Sequence, residues 1–167
     1  ILPFSPIADN ADVTEVLCGG ECSGAIITAP SGGVGGYTFT WDPEPPNGQG
    51  TMEATGLCAG DYSLTITDLA GCEDTFEHVI GEPPALVVVV DGVAPASCAD
   101  ASDGGITTTV SGGTPPLSIA WTGPAGFTSD QAVLTALMPG VYTQVVVDAN
   151  GCERTTVVEV DALSTVV

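Results

Sequence analysis

The sequence predicts an all-β chain made of two tandem sandwich domains. Three observations carry that prediction. Gly and Pro are frequent, at 22 and 13 of 167 residues, and cut the chain into short apolar runs of strand length. No stretch has the periodicity of a long amphipathic helix. The chain also repeats itself. Shifted by 80 residues without a gap, Cys18 falls on Cys98, Gly24 on Gly104 and Ser31-Gly32-Gly33 on Ser111-Gly112-Gly113. Trp41 falls on Trp121, Tyr62 on Tyr142, Asp68 on Asp148 and Gly71-Cys72-Glu73 on Gly151-Cys152-Glu153. Between 18–81 and 98–161, 17 of 64 positions are identical. The matches fall on Gly, Cys, Trp and Tyr, which fix turns and cores, so chance is a poor explanation.

The first domain is expected over 1–81, with an arm at 1–17, and the second over 82–167. Pro83-Pro84 marks the joint. The run Leu86 to Val90 is too apolar for a solvated linker and reads as the first strand of the second domain. By the same register, 1–17 supplies the first strand of the first domain. Further strands are expected near 25–30, 37–41, 51–55, 62–68 and 75–80, with about seven segments per domain. In the run from Tyr62 to Asp68, apolar side chains alternate with Ser and Thr. Successive side chains of a strand point to opposite faces, so one face is buried and the other wet. Short antiparallel strands at this spacing fit an immunoglobulin-like sandwich.

The phrases from Gly60 to Cys72 ("GDYSLTITDLAGC") and from Gly140 to Cys152 ("GVYTQVVVDANGC") then have assigned parts. Gly60 and Gly140 turn the chain into a strand. Tyr62 and Tyr142 bury their rings and need a hydroxyl partner, expected on backbone near the turn. Asp68 and Asp148 accept backbone N–H groups two residues on, and Gly71 and Gly151 supply positive φ.

Six cysteines point to an oxidising compartment and allow fifteen pairings. Cys98 and Cys152 are the only two in the second domain and are expected to bond each other. Equivalence then pairs Cys18 with Cys72 and leaves Cys22 with Cys58, whose counterparts are Ser102 and Met138. Closing a loop of about 55 residues stabilises a domain by about 4 kcal/mol in the chain-entropy picture. A zinc site from Cys18, Cys22, Cys58 and Cys72 is the rival reading. Its C-x₃-C spacing is a loose match, and the second domain keeps only two of the four.

The stretches "VSGGTPPLSIAW" (Val110 to Trp121) and "LMPGVYTQVVVDANGCE" (Leu137 to Glu153) resemble the SprB-type repeat of cell-surface gliding adhesins of Bacteroidota. The first domain departs from the pattern, with Val34-Gly35-Gly36 in place of Thr-Pro-Pro and two added cysteines. The resemblance spans 18 to about 161. It implies export by type IX secretion and a structural or adhesive role in long surface filaments of gliding bacteria. It brings no catalytic residues.

Charge narrows the partners. Against 21 Asp and Glu stands one Arg and no Lys, a formal charge of −20. Such a surface repels nucleic acid and anionic lipid. No apolar run approaches the roughly 20 residues of a membrane-spanning helix. The chain does not begin with Met or with a secretory leader, so it is expected to be a processed protein or part of a longer one.

Catalytic patterns are thin, and no enzyme is expected. His78, the single histidine, lies on a strand with Val158 as counterpart and reads as structural. The stretch Gly32 to Gly36 has no following helix or Lys and reads as a turn, not a phosphate loop. No cofactor or metal site is expected. Ca²⁺ is considered through Asp100, Asp103 and Asp148 or Asp161, but these lack EF-hand spacing and read first as turn caps. A sugar platform has only Phe4, Phe76 and Phe127 to draw on.

One departure between the copies stands out. Gln144 replaces the inward Leu64, while Val145 and Val147 replace the outward Thr65 and Thr67. An apolar outer face on so charged a chain marks a contact surface. Val145, Val147 and the arm residues Ile1, Leu2 and Phe4 are therefore the expected interface. The arm is expected to pair with a preceding copy by strand addition. The resulting reading is a non-enzymatic, disulfide-stabilised component of an extracellular filament or adhesin, self-assembling through neighbouring copies. Its alternative is a ligand- or carbohydrate-binding module of a secreted protein.

Overall fold

A computed structural model of the chain describes residues 5–163. The chain divides into two compact units, Ile1–Pro83 and Pro84–Val167. Both are all-β immunoglobulin-like sandwiches.

In the first unit the strands are β1 (Asp12–Thr14), β2 (Gly24–Ile27), β3 (Thr38–Asp42), β4 (Glu53–Leu57), β5 (Gly60–Thr67) and β6 (Glu73–Ile80). They form two three-stranded sheets, β1-β2-β4 and β3-β5-β6, with every pair antiparallel. In the second unit they are β7 (Val87–Ala94), β8 (Gly104–Ser111), β9 (Ser118–Thr122), β10 (Thr128–Ser129), β11 (Val133–Leu137), β12 (Gly140–Val147) and β13 (Glu153–Val160). Their sheets are β11-β8-β7 and β10-β9-β12-β13, again antiparallel.

Alternation decides which face is buried. In β5, Tyr62, Leu64 and Ile66 face the core, and Ser63, Thr65 and Thr67 face outward. Trp41 on β3 and Trp121 on β9 stand at the centres of the two cores, 2% and 1% exposed. Each indole N–H, taken out of water, donates 3.0 Å to a backbone carbonyl, of Thr51 and of Gln131 respectively. Truncating a buried ring of this size costs about 3–5 kcal/mol.

The repeated Ser-Gly-Gly has a steric cause. Gly32 and Gly112 take φ of +83° and +71°, and a Cβ there would lie 2.0 Å from the Pro6 carbonyl oxygen or 1.9 Å from that of Ala85. Only Gly lets the start of each unit cross this loop so closely.

The arm belongs to its own unit. Ala8 pairs with Ser31, the Gly33 N–H donates to the Ser5 carbonyl, and β1 pairs with β2. β1 is the first strand expected within 1–17, and residues 8–14 pair with β2 and the loop after it in the same unit. Ile1, Leu2 and Phe4 lie outside the described residues.

Candidate functional site

The most constructed feature of each unit is the turn that closes the repeated phrase. Asp68 Oδ1 accepts the N–H groups of Ala70 (2.8 Å) and Cys72 (3.0 Å), and its Oδ2 accepts that of Val34 (2.9 Å). Asp148 repeats the arrangement with Asn150 (2.9 Å), Cys152 (2.9 Å) and Thr114 (2.8 Å). One carboxylate thus shapes its own turn and ties it to the loop after β2 or β8. Donation from the Val34 N–H, then the Cys72 N–H, holds the Asp68 carboxyl below the ordinary carboxylate range, and the Thr114 N–H leads the same effect on Asp148. Asp103 is lowered too, chiefly by the Ser97 N–H 2.8 Å from Oδ1.

At the other end of β5 and β12 sits a tyrosine corner. The Tyr62 hydroxyl donates to the Cys58 carbonyl (3.2 Å) and that of Tyr142 to the Met138 carbonyl (2.9 Å). Both bonds run to the turn preceding the strand, where the phrase requires a partner.

The cysteines depart from expectation. Cys22 and Cys58 are joined, as expected. Cys72 and Cys98 are free thiols, whereas Cys18 and Cys152 are each disulfide-bonded. The expected bridges Cys18–Cys72 and Cys98–Cys152 are therefore not formed, and topology explains why. Cys152 immediately precedes β13. Cys98 follows Ala96, which pairs with Ala162 just beyond the other end of β13. Eight residues of strand span roughly 26 Å at about 3.3 Å each. A disulfide holds Cα atoms within about 7 Å. In the first unit Cys72 precedes β6, while the Val16 N–H donates to the Gly81 carbonyl beyond its far end and so holds Cys18 there. The four-cysteine zinc arrangement fails for the same reason, since Cys72 is remote from the Cys22–Cys58 bridge.

The other candidates are spread out. His78 on β6 places Nε2 3.0 Å from Asp9 Oδ2 beside the Trp41 ring, as a structural contact. Asp148 stands at the opposite end of β13 from Asp161 and Ala96, so it cannot join Asp100 and Asp103 in the Ca²⁺ set considered above. Among the described residues no three His, Cys, Asp or Glu side chains cluster as a metal site. Phe76 packs against the first core, and Phe127 against the second with its ring 5.3 Å from that of Tyr142, edge to face. Neither is free to form a sugar platform. Val145 and Val147 are half-buried on β12, between β9 and β13.

Three features escaped the sequence reading. Gln49 Oε1 accepts the Trp41 N–H (2.9 Å) and its Nε2 donates to the Trp41 carbonyl (3.1 Å). It imitates a neighbouring strand at the edge of β3. Its counterpart Ser129 lies in the real strand β10, opposite Trp121. Gln144 is fully buried, as its inward position predicts, and what escaped is its bonding: its Nε2 donates 3.1 Å to Thr108 Oγ1, while its Oε1 has no hydrogen-bond partner among the described residues. Glu15 and Glu82 accept the Gly81 and Gly20 N–H groups near the end of the first unit. None of these has a local sequence pattern that announces it.

Comparison with known proteins gives one family. The SprB repeat matches residues 10–45 and 91–126, the same segment of each copy to within one residue. No curated protein matches the chain. Among solved structures, the N-terminal eight Ig domains of Down Syndrome Cell Adhesion Molecule (DSCAM) isoform 1.30.30 align at 14% identity and TM-score 0.47, over 96% of this chain and 25% of that one. DIP-gamma IG1+IG2 aligns at 12% identity and TM-score 0.47, over 97% and 99%. Extracellular domains 3-5 of Drosophila OTK align at 14% and 0.39, over 84% and 56%. The chain thus spans a quarter of the DSCAM fragment. The SprB repeats, the sandwiches and the disulfides fit a cell-surface, adhesin-type structural module. No helix among the described residues is long and apolar enough to cross a membrane.

Proposed function

We propose that this chain, in which two segments match the SprB repeat, is a non-enzymatic structural component of an extracellular cell-surface filament or adhesin. Its two tandem domains, 1–81 and 82–167, act as rigid spacers, and neighbouring copies or repeats are the partners. The observation that carries the reading is how the polar side chains are used. Asp68, Asp148, Tyr62, Tyr142 and Gln49 all hold backbone, and each of the first four recurs 80 residues away in the same contact. A chain that spends its polar chemistry on shape is suited to bearing load. Type IX export and gliding bacteria are the setting that the SprB resemblance supports. The outer face of β12 at Val145 and Val147 is proposed as one contact surface, since it is apolar where β5 carries Thr65 and Thr67.

Electron microscopy of intact producing cells, with gold-labelled antibody to this chain, tests the reading. Label along surface fibres is expected. Label confined to the cell interior, or on the surface without fibres or attachment, overturns it.

A further inference from the structure

Cys72 and Cys98 are thiols that the fold leaves unspent, Cys98 exposed and Cys72 half-buried. Each sits in the same backbone turn as a bonded counterpart. The Ala101 N–H donates to the Cys98 carbonyl as that of Glu21 does to Cys18. The Cys72 N–H reaches Asp68 Oδ1 as that of Cys152 reaches Asp148 Oδ1. Both counterparts, Cys18 and Cys152, are in disulfides. The two turns are therefore built to present a bonding sulfur, and the repeat uses both positions for that purpose.

Neither thiol finds its partner inside its own unit, because the two cysteine positions of a unit lie at opposite ends of its last strand. Cys72 is at the leading end of the first unit, where its last strand begins. Cys98 is at the trailing end of the second, beside Ala96 and Ala162. Cys72, where a last strand begins, and Cys98, beside where one ends, are unlike positions of the repeat, and a heterologous contact between copies brings unlike positions together.

We infer that Cys98 of one copy and Cys72 of the next form a disulfide, so that copies are joined covalently head to tail. The chemistry is thiol–disulfide exchange with a small-molecule disulfide or a protein disulfide oxidant. The thiolate of one copy attacks the oxidant's S–S bond, forming a mixed disulfide and releasing one oxidant thiol. The second copy's thiolate then displaces the other oxidant thiol. One inter-copy S–S bond forms, the two cysteine thiols give up two electrons and two protons, and the oxidant disulfide is reduced to two thiols. Copies of formal charge −20 repel one another, so the reaction proceeds faster at raised salt, where the Debye length is about 3 Å at 1 M against about 10 Å at 0.1 M.

The inference rests on the extracellular structural reading and is tested separately from it. Full-length Cys72→Ser and Cys98→Ser proteins, each shown by circular dichroism to keep the β fold, are incubated alone and mixed in a glutathione redox buffer. After alkylation they are run on a non-reducing gel. Each alone is expected to stay monomeric. The mixture is expected to give a dimer that reduction abolishes, with a Cys98–Cys72 cross-linked peptide in the mass spectrum, and wild type to give a ladder. Homodimers of either variant as abundant as the mixed dimer overturn the inference. So does a monomeric mixture, or a wild-type monomer carrying Cys72–Cys98 within one chain. Fibres that persist with both thiols free and alkylated overturn the cross-link while leaving the filament reading intact.

Discussion

The two units solve one packing problem with different side chains at three matched places. Where the first has the Cys22–Cys58 bridge, the second has Ser102 and Met138, which line a depression of about 270 Å³ beside Tyr142. Where the first buries Leu64, the second buries Gln144. Where the first covers the edge at Trp41 with the Gln49 amide, the second lays strand β10 along Trp121. The Asp turn, the Tyr corner and the Trp indole bond are meanwhile unchanged. The invariant parts fix backbone, and the variable parts fill space or seal an edge. A repeat can trade the second kind freely because the first kind keeps the register.

The largest test of that comparison moves the bridge. Ser102→Cys with Met138→Cys should form a disulfide in the second unit, since both positions flank the same tyrosine corner as Cys22 and Cys58. The closed loop has the same separation of 36 residues. The gain should approach about 4 kcal/mol in the chain-entropy picture, and Cys22→Ser with Cys58→Met should cost the first unit a similar amount. Each unit has one tryptophan, so fluorescence-detected melting in a Trp41→Phe or Trp121→Phe background reads one unit at a time. No rise in the second unit's midpoint despite a formed bridge would show that its loop is already ordered by other means.

The core exchange comes next, and it is asymmetric. Leu64→Gln puts an amide into an apolar pocket where the Thr28 hydroxyl already donates to the Asp9 carbonyl (2.6 Å). It should cost about 3 kcal/mol from lost apolar burial and an unmatched polar atom. The reverse change, Gln144→Leu, removes the lone Oε1 and leaves Thr108 Oγ1 its bond to the Ala132 carbonyl (3.2 Å). It should stabilise the second unit by about 1 kcal/mol. Urea titrations of the same single-tryptophan backgrounds resolve the two signs. A loss from Gln144→Leu would mean that the amide has a second partner and a positive role.

What was legible beforehand divides along the same line. The tyrosine, the aspartate turn and the glycines are local, so spacing within one phrase fixes their contacts. The strands follow from alternation, within a few residues at each end. The cysteine pairing was not legible, because a repeat states which cysteines are equivalent and not which ends of a strand they occupy. Counting the eight residues of β6 or β13 between the two positions is what separates them. Gln49 and β10 were missed because an edge can be sealed by one amide or by two residues, and neither leaves a periodic trace.

The smallest difference is in acid. Asp68 and Asp148 have the same three donors and folded-state pKa values below the ordinary one, so each contributes stability above the unfolded carboxylate pKa of about 3.9. That contribution is lost from both units as pH falls through the folded values. Asp103 is different. Its counterpart Ser23 accepts the Leu17 N–H (3.0 Å) through a hydroxyl that does not titrate, whereas Asp103 accepts the Ser97 N–H through a carboxylate. Its pKa is lowered as well, so as pH falls through that lowered value the second unit loses one contact that the first keeps. The Trp121 signal should therefore show its acid midpoint at a higher pH than the Trp41 signal, and Asp103→Ser should bring the two together. If the gap survives Asp103→Ser, the difference arises elsewhere in the second unit, and the serine–aspartate exchange is neutral in acid.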